Sequence, residues 1–155
     1  MKRPLLTALL LILSACSVYD PVPEGYQGPT ATIQDSYSNK KPTSAHYFLL
    51  ERIDGKGIAS SWMASKAANL GHPHDFTPNM LSRQVLPSKQ TFTLVGLIFF
   101  PSEVEGRFAD ERTVQKTITF TPKPGEAYTV RGHIDTRRSD VWLEDSQGNR
   151  VSPNP

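Results

Sequence analysis

Apolar and polar positions alternate with a period of two through most of residues 45–151 of this 155-residue chain. That period sends successive side chains to opposite faces of a strand. Residues 45–54, Ala-His-Tyr-Phe-Leu-Leu-Glu-Arg-Ile-Asp, are the first long run. Strict alternation puts Tyr47, Leu49 and Ile53 on one face and Phe48 and Leu50 on the other. Asp54-Gly55-Lys56-Gly57 then reads as a turn. Over residues 61–70 the period changes: Met63, Ala67 and Leu70 fall at i, i+4 and i+7, one stripe of a short helix. Ser60 or Ser61 can cap its start, and Gly71 suits the left-handed position after its end. The helix is expected to pack on a sheet or cover its edge. Residues 71–80, with Pro73 and Pro78, form a loop.

Strand patterns resume at Arg83-Gln84-Val85-Leu86. Gln90 to Phe100 is a long strand with Phe92, Leu94, Ile98 and Phe100 on one side and Val95, Leu97 and Phe99 on the other. Apolar residues on both faces of its second half predict a central position, and Gly96 marks a bulge or a close approach. After a charged loop at 101–111, Val114, Ile118 and Phe120 point inward from residues 112–121. Pro122-Lys123-Pro124-Gly125 is a tight turn, with Pro124-Gly125 suited to type II. Tyr128, Val130 and Ile134 alternate with Thr129, Arg131 and His133, and Val141-Trp142-Leu143-Glu144 is the last long strand. Residues 145–149 turn toward Arg150-Val151. The spacing of strands and turns predicts an all-β fold: a single antiparallel β-sandwich over residues 45–151, with one short inserted helix and a tail at 152–155.

Residues 17–44 read differently. Pro21, Pro23, Pro29, Pro42, Gly25 and Gly28 interrupt them, and no apolar period is sustained. The expectation is a flexible tether over residues 16–44, in which Thr30-Ala31-Thr32-Ile33 forms at most an edge strand. Tyr19, Tyr26 and Tyr37 would cover the domain or lie near lipid headgroups.

Charge narrows the function. The chain has 17 Lys and Arg against 15 Asp and Glu, and Lys2 and Arg3 account for the whole excess. From Cys16 onward the chain is formally neutral, which argues against a nucleic-acid partner. The single cysteine excludes an internal disulfide framework and any multi-cysteine zinc site.

Lys2-Arg3 precede the apolar run Leu5-Leu6-Thr7-Ala8-Leu9-Leu10-Leu11-Ile12-Leu13, which is shorter than the ~20 residues of a spanning helix. It reads as a signal peptide over residues 1–15. Leu13-Ser14-Ala15-Cys16 resembles the bacterial lipobox. The resemblance implies that signal peptidase recognises Leu13, Ser14 and Ala15 and that Cys16 becomes the acylated N-terminus, a covalent lipid being the only attached group expected. Three acyl chains exceed the two signals that stable anchoring needs. Ser17, in the place where Asp retains enterobacterial lipoproteins at the inner membrane, favours the periplasmic face of the outer membrane.

The order Ile53-Asp54-Gly55, Val85-Leu86-Pro87, Thr91-Phe92-Thr93-Leu94, Ile118-Thr119-Phe120, Pro124-Gly125-Glu126-Ala127-Tyr128-Thr129-Val130 and Val141-Trp142-Leu143-Glu144-Asp145 with Gly148 resembles small bacterial lipoproteins. Those carry a single transthyretin-like or immunoglobulin-like β-sandwich. The expected role is a non-enzymatic binding or envelope-assembly module with an envelope protein as partner, since an edge strand of a sandwich can accept a partner's strand. A secretion-system accessory or pilot lipoprotein shares this architecture, and a carbohydrate or metal binder is a further alternative.

The candidate sites are few. His72-Pro73-His74-Asp75 holds two imidazoles one residue apart, and His46 or His133 would have to supply a third donor. The cluster lacks zinc-site spacing and a metalloprotease helix, so a solvated loop is the plainer reading and no metal is assigned. There is no Gly-x-Ser-x-Gly elbow, and Gly55-Lys56-Gly57 is too short for a phosphate loop. Glu103 with Glu105, and Asp110 with Glu111, read as a solvated acidic loop, and no enzyme is expected. Trp142 shares a strand face with Glu144; it is either a sugar or partner platform or, more simply, a core residue. Arg131, Arg137 and Arg138 form a small basic patch suited to acidic headgroups or lipopolysaccharide.

Overall fold

The alternating segments become strands. In the computed structural model, which describes residues 18–72, 74–102 and 113–151, they are β1 (Ala31–Gln34), β2 (Ser36–Ser38), β3 (Ala45–Ile53), β4 (Lys56–Gly57), β5 (Ser82–Val85), β6 (Gln90–Phe99), β7 (Val114–Phe120), β8 (Ala127–His133) and β9 (Asp140–Glu144). A helix, α1 (Ser61–Ala68), stands between β4 and β5. One sheet has the order β5-β1-β8-β9; the other has the order β2-β3-β6-β7, with β4 paired to the end of β3. The described residues are thus β-rich, with two sheets and one short helix. Residues 1–17, which hold the expected signal peptide and Cys16, lie outside the described residues, as do Pro73, the acidic loop at 103–112 and the tail.

Side chains from both sheets meet in one cluster. Ile33, Val85, Val130 and Leu143 come from the first sheet; Phe48, Leu50, Phe92, Leu94 and Ile118 come from the second. Each fully buried side chain of this kind contributes about 1.5–3 kcal/mol. The Phe48 ring fills space that two glycines leave open. A Cβ at Gly132 would lie 2.5 Å from the ring and from the Asp140 carbonyl, and one at Gly96 would lie 2.9 Å from Val114. A close approach at Gly96 is therefore what the structure has. A second cluster covers the other face of β3 and β6, where Tyr47, Leu49 and Phe99 pack with Phe76, Trp62 and Met80. Tyr47 stacks on Phe99 at a centroid separation of 4.5 Å.

Four expectations need correction. First, β1 runs parallel to β8, with Ile33 opposite Tyr128, so the strands are not all antiparallel. The reason is topological: β5 and β8 run in opposite directions, and a strand inserted between them must parallel one. Second, the described part of the supposed tether is packed. β1 lies inside its sheet rather than at an edge, and β2 adds to the other. Tyr19 N–H donates to the Gly57 carbonyl at 3.0 Å, Gly125 N–H donates to the Thr30 carbonyl at 2.8 Å, and Pro21 is buried. A four-residue strand with two inward apolar side chains, Ala31 and Ile33, is too short to register as a period. Third, Ile53 joins the Phe48 and Leu50 face. The register shifts between Leu50 and Arg52, and a bulge there inverts the parity of the rest of the strand. Fourth, α1 turns its apolar stripe outward: Met63 is 57% and Leu70 82% exposed, while Ser61 and Ser65 are buried. Its ends fit the sequence, since Ser60 Oγ accepts from Trp62 N–H at 3.2 Å and Gly71 has φ +81°.

Strand directions sort the turns to two ends. The β3–β4 turn, the β7–β8 turn and residues 145–149 lie at one end, beside Tyr19. The β8–β9 turn, with Arg137 and Arg138, lies at the other. At ~3.3 Å per residue, a strand the length of β6 separates the ends by about 30 Å.

Candidate functional site

Asp35 sits where the chain leaves β1 in one sheet and enters β2 in the other. The period of two aligns it with Ala31 and Ile33, and it is buried like them. Its carboxylate is fully engaged. Oδ1 accepts from Leu50 N–H at 2.8 Å and from Arg83 Nη1 at 2.7 Å. Oδ2 accepts from Arg83 Nη2 at 2.6 Å and from the Ser61 hydroxyl. Arg83 is buried too, and its Nε and Nη2 also donate to the Ala59 carbonyl at 3.0 and 2.8 Å. A buried bidentate pair needs this degree of satisfaction to offset desolvation.

This network explains the inverted helix. Ser61 donates to Asp35 and accepts from Leu81 N–H at 2.8 Å. One turn on, Ser65 Oγ accepts from Asn79 N–H at 2.8 Å. Asn69 Nδ2 donates to the Ser65 and Thr77 carbonyls at 2.7 and 2.9 Å, and its Oδ1 accepts from Thr77 N–H at 2.8 Å. The inward face of α1 thus combines hydrogen bonds to Asp35 and to the loop after it with the Trp62 ring, which meets Phe99 edge-on at 6.5 Å. Ser61 has both its donor and its acceptor roles filled by structure, so it is not poised as a nucleophile.

A concavity lies alongside. A groove of about 820 Å³ runs between residues 18–30 and the edge strand β5, lined by Tyr19, Val22, Tyr26, Ile58 and Ser82–Gln84. β5 pairs with β1 on one side, and no strand pairs with its other side among the described residues. Asp20, Glu24 and Arg83 also line the groove, giving it mixed charge on a partly apolar wall. Tyr26 donates its hydroxyl to the Pro29 carbonyl at 3.2 Å and packs over Gly28, which fixes the outer wall. Lys56 Nζ stands 4.5 Å from the Tyr19 ring centroid at the end of the groove nearest the N-terminus.

The residues singled out from sequence fall elsewhere. Trp142 is neither in the core nor a free platform. It lies on the outer face of β9, donates Nε1–H to Glu144 at 2.7 Å, and has the Arg150 guanidinium 4.5 Å from its ring centroid. The His133 ring is 6.1 Å away. Arg131 stands opposite Trp142 in register, with Nε 3.7 Å from Glu144 Oε2. Arg137 and Arg138 are set apart in the β8–β9 turn, where both backbone N–H groups donate to Asp135 Oδ1 at 2.7 Å. The structure joins Arg131 to Trp142 and leaves the other two arginines at the tip.

The histidines also disperse. His72 and His74 are exposed, whereas His46 and His133 stand on strands of different sheets. Among the described residues no three His, Cys, Asp or Glu side chains gather as metal ligands would. Asn39 Nδ2 lies 3.1 Å from His46 Nε2. Burial, helped by the charge of Lys41, holds His46 below its usual range. Burial pushes the Tyr47 hydroxyl up to about 12. At Asp140 burial acts upward, but Arg150 and Lys116 outweigh it and hold the carboxyl below its ordinary value. Asp54 is held low chiefly by the hydrogen bond from Thr91 N–H, at 2.8 Å.

Neither the groove nor the Asp35–Arg83 pair stands out in the sequence. For Asp35 a signal exists: an acid in phase with two inward apolar residues. For Arg83 none does, since its partner is brought to it only by the β1–β5 register, Ile33 opposite Arg83. Compared with known proteins, the chain matches no family model, no curated protein and no solved structure.

Proposed function

We propose that this chain is a lipid-anchored, non-enzymatic binding module of the bacterial envelope, held through acylated Cys16 at the periplasmic face of the outer membrane. Its body is read as a single β-sandwich, in support of which both sheets contribute to one apolar cluster. The observation that carries the binding role is the groove of about 820 Å³ beside β5. An edge strand flanked by a groove suits an extended segment of a partner, with main-chain hydrogen bonds giving affinity and the groove giving side-chain selectivity. That partner is an envelope protein, and an assembly or secretion accessory role is one form of the same reading.

Two measurements test it. Cys16→Ser should abolish acyl mass on the mature protein and release it from the membrane fraction; unchanged attachment would sink the anchor. A photo-crosslinking residue at Gln84, on β5, should give a discrete adduct in intact cells that Val22→Glu removes. The same crosslinker at Gln147 should not give it. Equal adducts from both positions, or none from Gln84, would end the groove reading.

A further inference from the structure

The proposed anchor and the packed N-terminal segment together fix how the body stands on its membrane. Tyr19 is tied by its backbone to Gly57, and Lys56 covers its ring. Tyr19 is the third residue after Cys16, so three residue steps connect them. Fully extended, they reach about 10 Å. Cys16 therefore lies within that distance of Tyr19, which is itself bonded to Gly57 beside the β3–β4 turn, and no long tether remains to lift the body.

We infer that the domain is seated directly on the lipid surface, with the corner formed by Val18, Tyr19, Tyr26 and Lys56 in the headgroup layer and the β8–β9 turn directed away. This rests on the lipid-anchor reading of Cys16. The corner has the chemistry of an interface. Val18 is 62% exposed, Tyr26 presents part of its ring, and a lysine lies over a tyrosine, the pairing of amphipathic side chains that membrane boundaries favour. Its charge is mixed: Asp20 and Glu24 line the groove with Tyr19, and Lys56 lies over the Tyr19 ring. The seat therefore needs no anionic lipid. Arg137 and Arg138, read from sequence as headgroup contacts, lie at the opposite end and face the periplasmic space instead. The groove, whose wall includes Val18 and Tyr19, opens beside the membrane. A partner reaching it would approach along the lipid surface.

The test uses the acylated protein in phosphatidylcholine vesicles that contain a nitroxide-headgroup lipid. Because Cys16 carries the lipid, a cysteine introduced at Lys56 or at Arg137 is the single free thiol for a fluorophore. Several-fold stronger quenching at Lys56→Cys than at Arg137→Cys is expected, unchanged by added salt. Equal quenching at both sites, or stronger quenching at Arg137→Cys, overturns the seat while leaving the anchor intact. Protein that lacks acyl mass and does not sediment with vesicles overturns the anchor reading and the seat with it. A long Gly-Ser insertion between Ser17 and Val18 should bring quenching at Lys56→Cys down to the level at Arg137→Cys. Quenching that survives the insertion overturns the short tether as its cause.

Discussion

The two faces of the β3–β6 ladder are covered by different means. On one face Phe48, Leu50, Phe92 and Leu94 meet apolar side chains of the opposite sheet. On the other, Tyr47, Leu49 and Phe99 lie under α1 and the loop after it, which Asp35, Ser61, Ser65 and Asn69 fasten with hydrogen bonds. Apolar burial is non-directional, so the first face is defined by volume and pattern. Hydrogen bonds are directional, so the second face is defined by placement. A helix can be held to a protein by its polar face when the polar groups find partners, and its apolar stripe is then left to solvent.

The comparison can be broken most severely at Asp35. Asp35→Ala leaves the Arg83 guanidinium buried without its carboxylate and should cost about 3–5 kcal/mol in urea denaturation. Leu94→Met, a volume-conserving change on the apolar face, should cost less than about 1.5 kcal/mol. If Asp35→Ala proved as mild as Leu94→Met, the directional account of the second face would fail. Ser61→Ala removes the acceptor of Leu81 N–H and one donor to Asp35, and should cost about 1–3 kcal/mol. A near-neutral result there would mean that α1 is held by Trp62 and its ring contacts instead.

A pH series sharpens the contrast without a mutation. His46 is held below its usual value, so as pH falls through about 6.5 the unfolded chain takes up protons that the folded state does not. Stability should therefore be full above that pH and decline on acidification. The depressed carboxyls of Asp54 and Asp140 extend the decline below about pH 4. His46→Gln should flatten the upper part of the slope, and a wild-type profile already level between about pH 8 and about pH 5 would contradict it. The smallest effect belongs to the exposed stripe. Met63→Ser and Leu70→Ser should each change stability by no more than about 0.5 kcal/mol, as measured by thermal melting. A loss of a few kcal/mol would place those side chains in a contact that the isolated chain does not have.

This contrast also explains what is legible in the sequence. Faces packed by apolar residues write themselves as a period of two, and Phe92, Leu94, Ile118, Tyr128 and Val130 are readable from it. Ile53 falls on the wrong face by strict alternation because one inserted residue reverses parity and leaves no mark in composition. The stripe of α1 reads as inward because the periodicity rule assumes that burial is apolar; Ser61 and Ser65 break that assumption. Residues 18–38 look like a linker because two inward apolar side chains, Ala31 and Ile33, and a few prolines fall below any period. The Asp35 network draws on Leu50, Ala59, Ser61 and Arg83, and only the folded register brings them together.

The parallel pairing of β1 with β8 sets an order of events. β1 is made first among the strands, yet Ile33 needs Arg83 on one side and Tyr128 on the other. The first sheet cannot assemble outward from the N-terminus; it closes only when nearly the whole domain has been synthesised. Topologies ruled by such distant pairings fold in roughly milliseconds to seconds rather than microseconds. During that interval β1 keeps one edge unpaired, while Asp35 can already meet Arg83 on β5. The vulnerable state is therefore the one in which β8 has yet to pair, which makes the length of time before that pairing as much a property of this protein as its final stability.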